Sequence, residues 1–391
     1  MRVLLVPETF PPSQSGIAVS ALRIVTHLRA AGVEVWAVDF DSRGEFEPGL
    51  TVRIDDSREQ TIIVTPFFDN QRPVRIPERA KAAARREAAL QLAVLARSLG
   101  IQLVHSMSVF NAGFIATFVA SAIERPHVAG VRGFGRHPFD GLRAECVRWI
   151  LERATAVVLA NRSLFELLAV AHPVEARSAV VIPDSVPALR YPSLDTSGRN
   201  AIRAEARAGS DDVLVTIAGN LRERKLLGVS LQALASLPDH PTTRLLILGR
   251  VQPAVQEQLD ADIRRYRFED RVVTRDAPPP EELSRWLEAS DIVLMPSVDY
   301  GTTNIVLEAM ERARCVVATD VFAEVIRDGD DGILVDRLDP AALATALAGL
   351  SGDSEKRTRL GQRARARVLA ERRPDDETRA YVELYERLGA A

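Results

Sequence analysis

Residues 291–317 carry the residue types and spacing of a phosphate-binding site. An apolar run at 292–295 predicts a buried strand that ends at Pro296, and a helical pattern begins at Asn304. The loop between them is polar and contains Ser297, Asp299, Tyr300, Gly301, Thr302 and Thr303. The N–H groups and dipole of an exposed helix N-terminus suit a phosphate there. Glu308, about one turn into the helix, lies too deep to cap it and is predicted to reach a ribose hydroxyl.

A second candidate loop follows the apolar run at 213–218 and reads GNLRERK at residues 219–225. Gly219 lets the backbone turn tightly where the predicted strand ends. Arg222, Arg224 and Lys225 then place three positive charges in one loop. Such a loop can hold a diphosphate and stabilise it as a leaving group. A solvated basic loop is the alternative interpretation of the same residues.

Single residues at other predicted strand ends give weaker signals. Gly16 closes the loop PPSQSG, where a backbone without a side chain can approach a phosphate, although no GxGxxG fingerprint is present. His105 ends a strand, and either catalysis or a structural role as a buried histidine accounts for it. Asp276 lies in a proline-rich loop, where the start of a turn and the cap of a helix are both open structural interpretations. The segment GVRGFGRHP supplies candidate acceptor contacts at Arg132, Gly133 and His137.

The composition limits the class of protein. A chain of 391 residues is too long for one ordinary core, so two domains are expected. An apolar content of 47% with 26% charged residues is typical of a soluble globular protein, and a net charge of −3 does not indicate nucleic-acid binding. Cys146 and Cys315 lie in apolar patterns, which indicates buried thiols in a reducing compartment. Since the opening apolar run is too short for a signal peptide, and no run approaches the roughly 20 residues of a membrane span, we expect a cytoplasmic protein.

The sequence contains no motif with metal-ligand spacing, such as HxxxH or CxxC, so neither a metal nor a cofactor is expected. The basic segment at residues 72–86 has two interpretations. It is either a contact for an anionic membrane surface or an anionic acceptor, or the solvated start of a helix. The second is favoured, because an ordinary amphipathic helix pattern follows.

Strand and helix patterns alternate along the whole chain, which predicts an α/β fold of two doubly wound, Rossmann-like domains. The first domain spans residues 1–186 and the second residues 187–375, with a terminal helix at 376–391. Residues 184–199 contain two prolines, several serines and a glycine, and are interpreted as the linker. Because ligands bind at the carboxyl ends of the strands in such sheets, the site is expected in the cleft where the two domains face each other.

Several segments, in order, are similar to the retaining, nucleotide-sugar-dependent glycosyltransferases of family 4, which have the GT-B fold. The resemblance spans nearly the whole chain and is strongest in the second half. The high alanine and arginine content is also typical of a GC-rich bacterial genome. The segments that carry the resemblance are PETFPPSQSG (7–16), HLRAAGVEV (27–35), AGNLRERK (218–225), RLLILG (244–249), DAPPPEEL (276–283), PSVDYGTTNIVLEAM (296–310), EVIRDGDDGILV (324–335) and LDPAALATAL (338–347).

The resemblance implies a role for each matching residue. Glu308 corresponds to the second glutamate of the family's E-x7-E motif, which binds the donor ribose, and Lys225 corresponds to the basic residue that holds the donor diphosphate. Thr303, Asn304 and Ile305 correspond to the loop that cradles the distal phosphate. Gly16 corresponds to the glycine loop that closes on the donor, and the terminal helix is implied to pack back on the first domain. The remaining donor contacts are implied at Gly219, Asn220, Gly249, Asp276, Asp299, Tyr300 and Thr302.

Three positions depart from the family pattern. Tyr300 stands where the first glutamate of E-x7-E is expected, with Asp299 beside it as a substitute. Asn220 replaces the arginine of a glycine–arginine pair, which leaves Arg222 or Arg224 to supply the charge. The usual double glycine at the front of the chain is Ser15–Gly16.

We therefore expect a retaining transfer of sugar from a UDP- or GDP-sugar to a small soluble acceptor, without a metal. Lys225, Arg222, Arg224 and His105 are the candidate catalytic residues. Two alternatives remain at this point. A nucleotide-sugar 2-epimerase would need His105 and His137 as acid and base, and a non-catalytic nucleotide-sugar-binding subunit would account for Tyr300.

Overall fold

The computed structural model describes residues 1–13, 15–40, 51–55, 57–65, 78–133, 141–171, 178–186, 192–237, 242–298, 304–337 and 339–389. The chain divides into two compact units. The first unit comprises Met1–Asp184 together with Asp375–Ala391, and the second comprises Ser185–Pro374. Each is built on one sheet of mainly parallel strands, so the predicted α/β class is confirmed.

The first unit holds an eight-stranded sheet in the order β3-β4-β2-β1-β5-β6-β7-β8. Its strands are β1 (Arg2–Val6), β2 (Glu34–Phe40), β3 (Thr51–Ile54), β4 (Thr61–Thr65), β5 (Leu103–Ser106), β6 (His127–Val131), β7 (Ala156–Leu159) and β8 (Ala179–Val181). The helices that precede the second unit are α1 (Gly16–Ala30), α2 (Glu78–Ser98), α3 (Asn111–Ile123), α4 (Gly141–Arg153) and α5 (Arg162–Ala171). β3 is the exception to the parallel arrangement, because it pairs antiparallel with β4 at the sheet edge.

The second unit holds a six-stranded parallel sheet in the order β11-β10-β9-β12-β13-β14. Its strands are β9 (Val213–Ala218), β10 (Thr243–Leu248), β11 (Val272–Arg275), β12 (Ile292–Met295), β13 (Cys315–Thr319) and β14 (Ile333–Val335). Its helices are α6 (Thr196–Glu205), α7 (Leu227–Ala235), α8 (Pro253–Arg265), α9 (Pro280–Ala289), α10 (Asn304–Glu311), α11 (Pro340–Ser351) and α12 (Ser354–Glu371). The last helix, α13 (Pro374–Gly389), returns the chain to the first unit.

Apolar runs fix the central strands of both sheets. The side chains of β9 and β12 are buried along their whole length, as expected for parallel strands covered by helices on both faces. One core lies on each face of each sheet. The strands predicted at 213–218 and 292–295 and the helix start predicted at Asn304 are confirmed. Proline at the first helical position marks the starts of α8, α9 and α11.

The linker interpretation of residues 184–199 was wrong at its C-terminal end. α6 begins at Thr196, and the carboxylate of Asp195 caps it by accepting a hydrogen bond from the N–H of Gly198 at 2.7 Å. The buried Ile202 and Arg203 anchor the helix, and Arg203 donates to the Asp291 carboxylate at 2.6 Å. The segment is rich in serine, glycine and proline, so its composition did not predict a helix. The Asp195 cap and the buried Arg203 that stabilise α6 are polar, and they therefore add nothing to an apolar period.

Buried charges tie α13 to the first sheet. Arg23 of α1 donates to the Asp184 carboxylate at 2.8 Å and to Glu377 of α13 at 3.2 Å. Arg132, at the end of β6, donates to the same Asp184 carboxylate and to the Tyr381 hydroxyl at 3.4 Å. Burial alone would raise the pKa of Asp184, but the two guanidinium groups outweigh it and lower that pKa. The carboxylate is therefore charged at neutral pH and holds both arginines.

Replacing Arg132 with methionine is expected to destabilise the protein strongly. The Asp184 carboxylate would lose one of two cationic partners inside the protein, and breaking a buried pair costs about 3–5 kcal/mol. Urea unfolding of wild type and Arg132→Met measures this loss. The matched control is Arg379→Met on α13, because Arg379 is mostly exposed and its pair with Asp376 contributes less than about 1 kcal/mol. Equal losses in the two variants would contradict the structural role of Arg132.

Candidate functional site

The strand order of the second unit places two candidate loops beside each other. β9 pairs with β10 on one side and with β12 on the other, so the direction of winding reverses between β9 and β12. Ligands in open α/β sheets bind at such a switch point, outside the carboxyl ends of the strands. The loop at 219–225 leaves β9 there, and α10 begins shortly after β12. The two strongest sequence signals, 79 or more residues apart along the chain, therefore meet at one sheet edge.

Two glycines bring the loops after β9 and β10 together. Gly219 has a φ of 123° and Gly249 a φ of 137°, which favour glycine. A Cβ at Gly249 would lie 1.8 Å from the carbonyl oxygen of Gly219. The contact continues as a parallel bridge between Leu221 and Val251. The sheet edge thus presents backbone without side chains at these two positions.

The positive charge of this edge comes from the turn that follows. Glu223–Lys225 form one turn of 3-10 helix, and the Lys225 N–H donates to the Arg222 carbonyl at 2.8 Å. Leu226, with a φ of 37°, then redirects the chain into α7. The side chains of Arg222 and Lys225 are half-buried, and Asn220 is exposed. The side chain of Arg224 lies outside the described part of the structure.

The start of the loop after β12 is held by β13. The N–H of Ser297 donates to the Thr319 hydroxyl at 3.2 Å, and that hydroxyl donates to the Ser297 carbonyl at 2.6 Å. The sequence places Ser297 in this loop, but it does not predict a role for Ser297 or for Thr319. Asn304 is buried as the first residue of α10, and Ile305 packs partly on the core. Glu308 is half-buried one turn later, whereas Asp299, Tyr300, Thr302 and Thr303 lie outside the described residues.

Asp276 lies away from the residues of the loops after β9 and β12. It follows β11, the edge strand of the sheet, which is two strands away from β9, or about 10 Å. Its exposed side chain lines a groove of about 560 Å³, whose other walls come from α6 and α9. Asp276 remains a candidate for the outer part of a donor, away from the phosphates.

The switch point of the first unit lies between β1 and β5. Gly16 is the exposed first residue of α1, after the N-cap Ser15, whose hydroxyl accepts from the Ala18 N–H at 3.1 Å and contacts the Thr9 hydroxyl at 2.5 Å. The N-terminus of α1 thus opens at the carboxyl edge of the sheet.

Glu8 is a residue of this edge that the sequence pattern missed. Its carboxylate accepts from the Ser108 hydroxyl at 2.6 Å, the Asn111 amide at 2.8 Å and the Ala112 N–H at 3.1 Å. It therefore ties the loop after β1 to the N-terminus of α3. An acidic residue just after a buried strand was a visible signal, but its partners lie about a hundred residues away.

His105 is not placed for acid–base chemistry, and the structural alternative describes it better. Its side chain is buried, and its Nδ1 lies 2.6 Å from the Tyr385 hydroxyl of α13. Burial, with the nearby charges of Arg132 and His127, lowers the pKa of His105 to about 3. Burial lowers the pKa of His127 to about 3 as well. Both imidazoles are neutral at physiological pH.

Arg132 is also a structural residue, which corrects its assignment to the acceptor. Its guanidinium is buried on Asp184 and Tyr381. Burial opposes the charge, but the Asp184 carboxylate outweighs it and raises the pKa of Arg132. Gly133 is half-buried beside it with a φ of 150°, and His137 lies outside the described residues.

Two features are absent from the described ranges. In those ranges, His, Cys, Asp and Glu do not form a group of three or more that would suit a metal ion. The helices in the same ranges include none that is both long and apolar enough to cross a membrane.

Two protein-family models match the chain. The model described as Glycosyltransferase Family 4 matches residues 14–188, and the model described as Glycosyl transferases group 1 matches residues 212–353. Between them they account for most of both units.

Curated relatives include bacterial proteins named D-inositol 3-phosphate glycosyltransferase. The protein of Xylanimonas cellulosilytica is 32% identical over 176 residues, which are 44% of this chain and 42% of that protein. The protein of Corynebacterium urealyticum is 32% identical over 226 residues, or 55% and 52% of the two chains. The alignments thus span about half the length of these relatives.

Solved structures match over the whole chain. Sucrose-phosphate synthase from Thermosynechococcus elongatus superimposes with a TM-score of 0.81 at 19% identity, covering 100% of this chain and 99% of that one. Anabaena HepE, solved in complex with UDP and glucose, gives 0.78 at 16% identity, covering 99% and 100%. At such identities the likeness shows the fold, and the predicted GT-B fold is confirmed.

Gly249→Ala is expected to destabilise the second unit by about 1–3 kcal/mol. The new methyl group would meet the Gly219 carbonyl in a backbone conformation that alanine disfavours. Gly349→Ala is the control, because a Cβ there meets nothing within 4 Å and α11 gains helix propensity of up to about 1 kcal/mol. Urea unfolding compares the two variants, and a Gly249→Ala protein as stable as wild type would refute the close approach.

The two buried histidines predict a loss of stability in mild acid. The unfolded chain binds their protons near pH 6.5, but the folded protein does so only near pH 3. Stability is therefore complete above pH 6.5 and falls as the pH drops towards 3, by up to about 1.4 kcal/mol per pH unit for each histidine. His127→Gln should flatten this dependence between pH 7 and 5. An unchanged slope in urea unfolding would show that His127 is protonated in the folded state.

Proposed function

Because the chain belongs to family 4 of the glycosyltransferases, we propose that it transfers a sugar from a nucleoside-diphosphate sugar to an acceptor hydroxyl with retention of configuration. One observation carries the proposal. A glycine-lined sheet edge, a turn that bears Arg222 and Lys225, and the helix that carries Glu308 lie at the carboxyl ends of neighbouring strands.

The chemistry that this edge supports is stabilisation of a diphosphate leaving group. The backbone at Gly219 and Gly249 gives room for the phosphates, and the N-terminus of α10 supplies N–H groups and a favourable dipole. Lys225 and Arg222 stabilise the negative charge that develops on the diphosphate as it leaves, a role that a metal ion can also fill. Glu308 accepts a hydrogen bond from a ribose hydroxyl and thereby orients the donor.

Retention follows from attack on the face that the leaving group vacates. The acceptor oxygen forms a bond to the anomeric carbon as the bond from that carbon to the diphosphate oxygen breaks. The proton of the acceptor hydroxyl passes to the departing diphosphate, so the step needs no protein base. The neutral, buried state of His105 agrees with a mechanism of this kind.

We propose a small soluble acceptor and a UDP or GDP donor. The curated relatives are named for D-inositol 3-phosphate, a small phosphorylated polyol, and Anabaena HepE was solved with UDP. The exposed N-terminus of α1 at Gly16 is the candidate contact of the first unit with an anionic group. Gly133 is a second candidate at the end of β6.

The 2-epimerase alternative loses support, because one of its two candidate histidines is buried and bonded to Tyr385. Tyr300 still favours the non-catalytic alternative, and one experiment separates all three. The protein is screened by thermal shift against UDP, GDP, ADP and dTDP, and the matching nucleotide sugars are incubated with and without polyol and sugar acceptors. A glycosylated acceptor supports transfer, an epimerised donor supports isomerisation, and tight binding without product supports a binding subunit.

Lys225→Ala is expected to lower kcat by a factor of about 10²–10³, because the charge on the leaving diphosphate loses a preorganised cation. Glu308→Ala is expected to raise the donor KM about tenfold, since one hydrogen bond to a charged group is lost. Steady-state kinetics with the donor that the screen identifies measures both.

Lys356→Ala is the matched control, because this half-buried lysine lies at the start of α12, away from the sheet edge. Its kinetic constants should stay within twofold of wild type. Wild-type turnover in both Lys225→Ala and Glu308→Ala would rule out the proposed site.

A further inference from the structure

One face of the first sheet is covered by a layer of four helices. β5, β6, β7 and β8 are successive neighbours, so the right-handed crossovers between them place α3, α4 and α5 on the same face. α2 packs beside α3 over a shared core. α1 and α13 cover the opposite face. We call α2, α3, α4 and α5 the outer layer.

The outer layer exposes large apolar side chains. Apart from Met1, the large apolar side chains that the described part of the first unit exposes all lie in it. Val94 is 70% exposed, one turn from Leu90 on α2, and Val170 on α5 is 86% exposed. The others are Phe118 of α3 and Leu167 of α5. Single exposed apolar residues are ordinary, but five on three helices of one layer indicate a surface that binds something.

Aromatic rings join the helices at the centre of this layer. The rings of Phe114 and Phe118 of α3 meet edge to face with their centroids 4.9 Å apart, and the ring of Trp149 of α4 lies 5.3 and 5.1 Å from them. Trp149 is half-buried, and Arg153 lies over its ring at 4.9 Å. α3 itself contains no charged residue along its 13 positions. A tryptophan ring flanked by arginine is typical of a boundary between an apolar and an aqueous phase.

The charge of the outer layer is opposite to that of the chain. α2 contains five basic and two acidic residues, and α4 contains three basic and two acidic residues. α5 contains one basic and one acidic residue, so the layer carries a net charge of +4. The whole chain carries −3. α1 and α13 together contain four basic and five acidic residues, so the opposite layer carries −1. By sequence, the helices of the outer layer therefore carry more positive charge than α1 and α13 do.

The positive charge of the outer layer favours one of two possible binding partners, a second copy of the chain or a lipid surface. A second copy of the chain would bring another +4 against the first in a symmetric contact, which opposes such a dimer. An anionic lipid surface attracts the basic residues and accepts the apolar side chains at its boundary. The sequence alone favoured a solvated start for α2, because it did not show that exposed apolar residues of α3 and α5 share its layer.

We propose that the outer layer docks peripherally on an anionic membrane surface. Leu90, Val94 and Phe118 enter the boundary region, and the arginines of α2 and α4 contact the lipid phosphates. The proposal is independent of the donor and acceptor, and its test does not use activity.

The test is sedimentation of the full-length protein with vesicles. We expect binding to phosphatidylcholine vesicles with 30% phosphatidylglycerol at about 50 mM salt, and at least tenfold weaker binding at about 500 mM salt. Vesicles of phosphatidylcholine alone should bind at least tenfold more weakly. Leu90→Ser/Val94→Ser and, separately, Arg86→Glu/Arg148→Glu should each reduce binding by at least fivefold. All four side chains are exposed, so the fold should be kept.

Each variant has a control in the second unit. Leu369→Ser removes an exposed leucine of α12, and Arg264→Glu/Arg365→Glu makes the same change in net charge on α8 and α12. Both controls should bind as wild type does. Absence of binding at low salt, equal binding to neutral vesicles, or equal effects of variants and controls would overturn the proposal. So would a dimer in sedimentation velocity that Leu90→Ser/Val94→Ser dissociates, since a second copy would then cover the surface.

Discussion

The first unit depends on one buried carboxylate. Asp184 is its last residue before the chain enters the second unit, and it accepts hydrogen bonds from Arg23 and Arg132. Arg23 also holds Glu377, just after the chain returns. The exit and the return of the chain are thus fixed on the same guanidinium. A buried carboxylate without these partners would be strongly unfavourable, so α1, β6 and α13 must assemble together.

The second unit depends on backbone geometry rather than on charge pairing. A Cβ at Gly249 would overlap the Gly219 carbonyl, and Gly219 itself has a positive φ that other residues rarely adopt, so both positions favour glycine. The turn that carries Lys225 follows β9 and the helix that carries Glu308 follows β12, on either side of the switch point. The charged residues thus have different roles in the two units. In the first, arginines and histidines that resemble catalytic groups serve the fold, whereas in the second the cations stand at the sheet edge.

Sequence patterns predicted the elements better than the roles of single residues. The strands at Val213–Ala218 and Ile292–Met295 and the start of α10 at Asn304 were predicted to the residue, because apolar period and helix-start residues are local signals. α6 was missed, because a carboxylate cap and a buried arginine stabilise it in a segment of linker composition. His105 and Arg132 ended strands at the expected edge, yet their partners come from α13 and Asp184. Glu8 was passed over for the same reason, since its partners lie on α3.

The sequence by itself determined the α/β class, the two-domain organisation as a prediction, the glycine turns, the basic turn at Lys225 and the position of Glu308 on its helix. These follow from chain-local properties: the period of apolar residues, the conformational freedom of glycine and the spacing within one helix turn. Tertiary structure alone decided that Arg23 meets Glu377 across 354 positions, that His105 is buried and neutral, and that exposed apolar residues of α2, α3 and α5 share one layer. Burial and charge pairing depend on which distant segments pack together, and a local pattern does not contain that information.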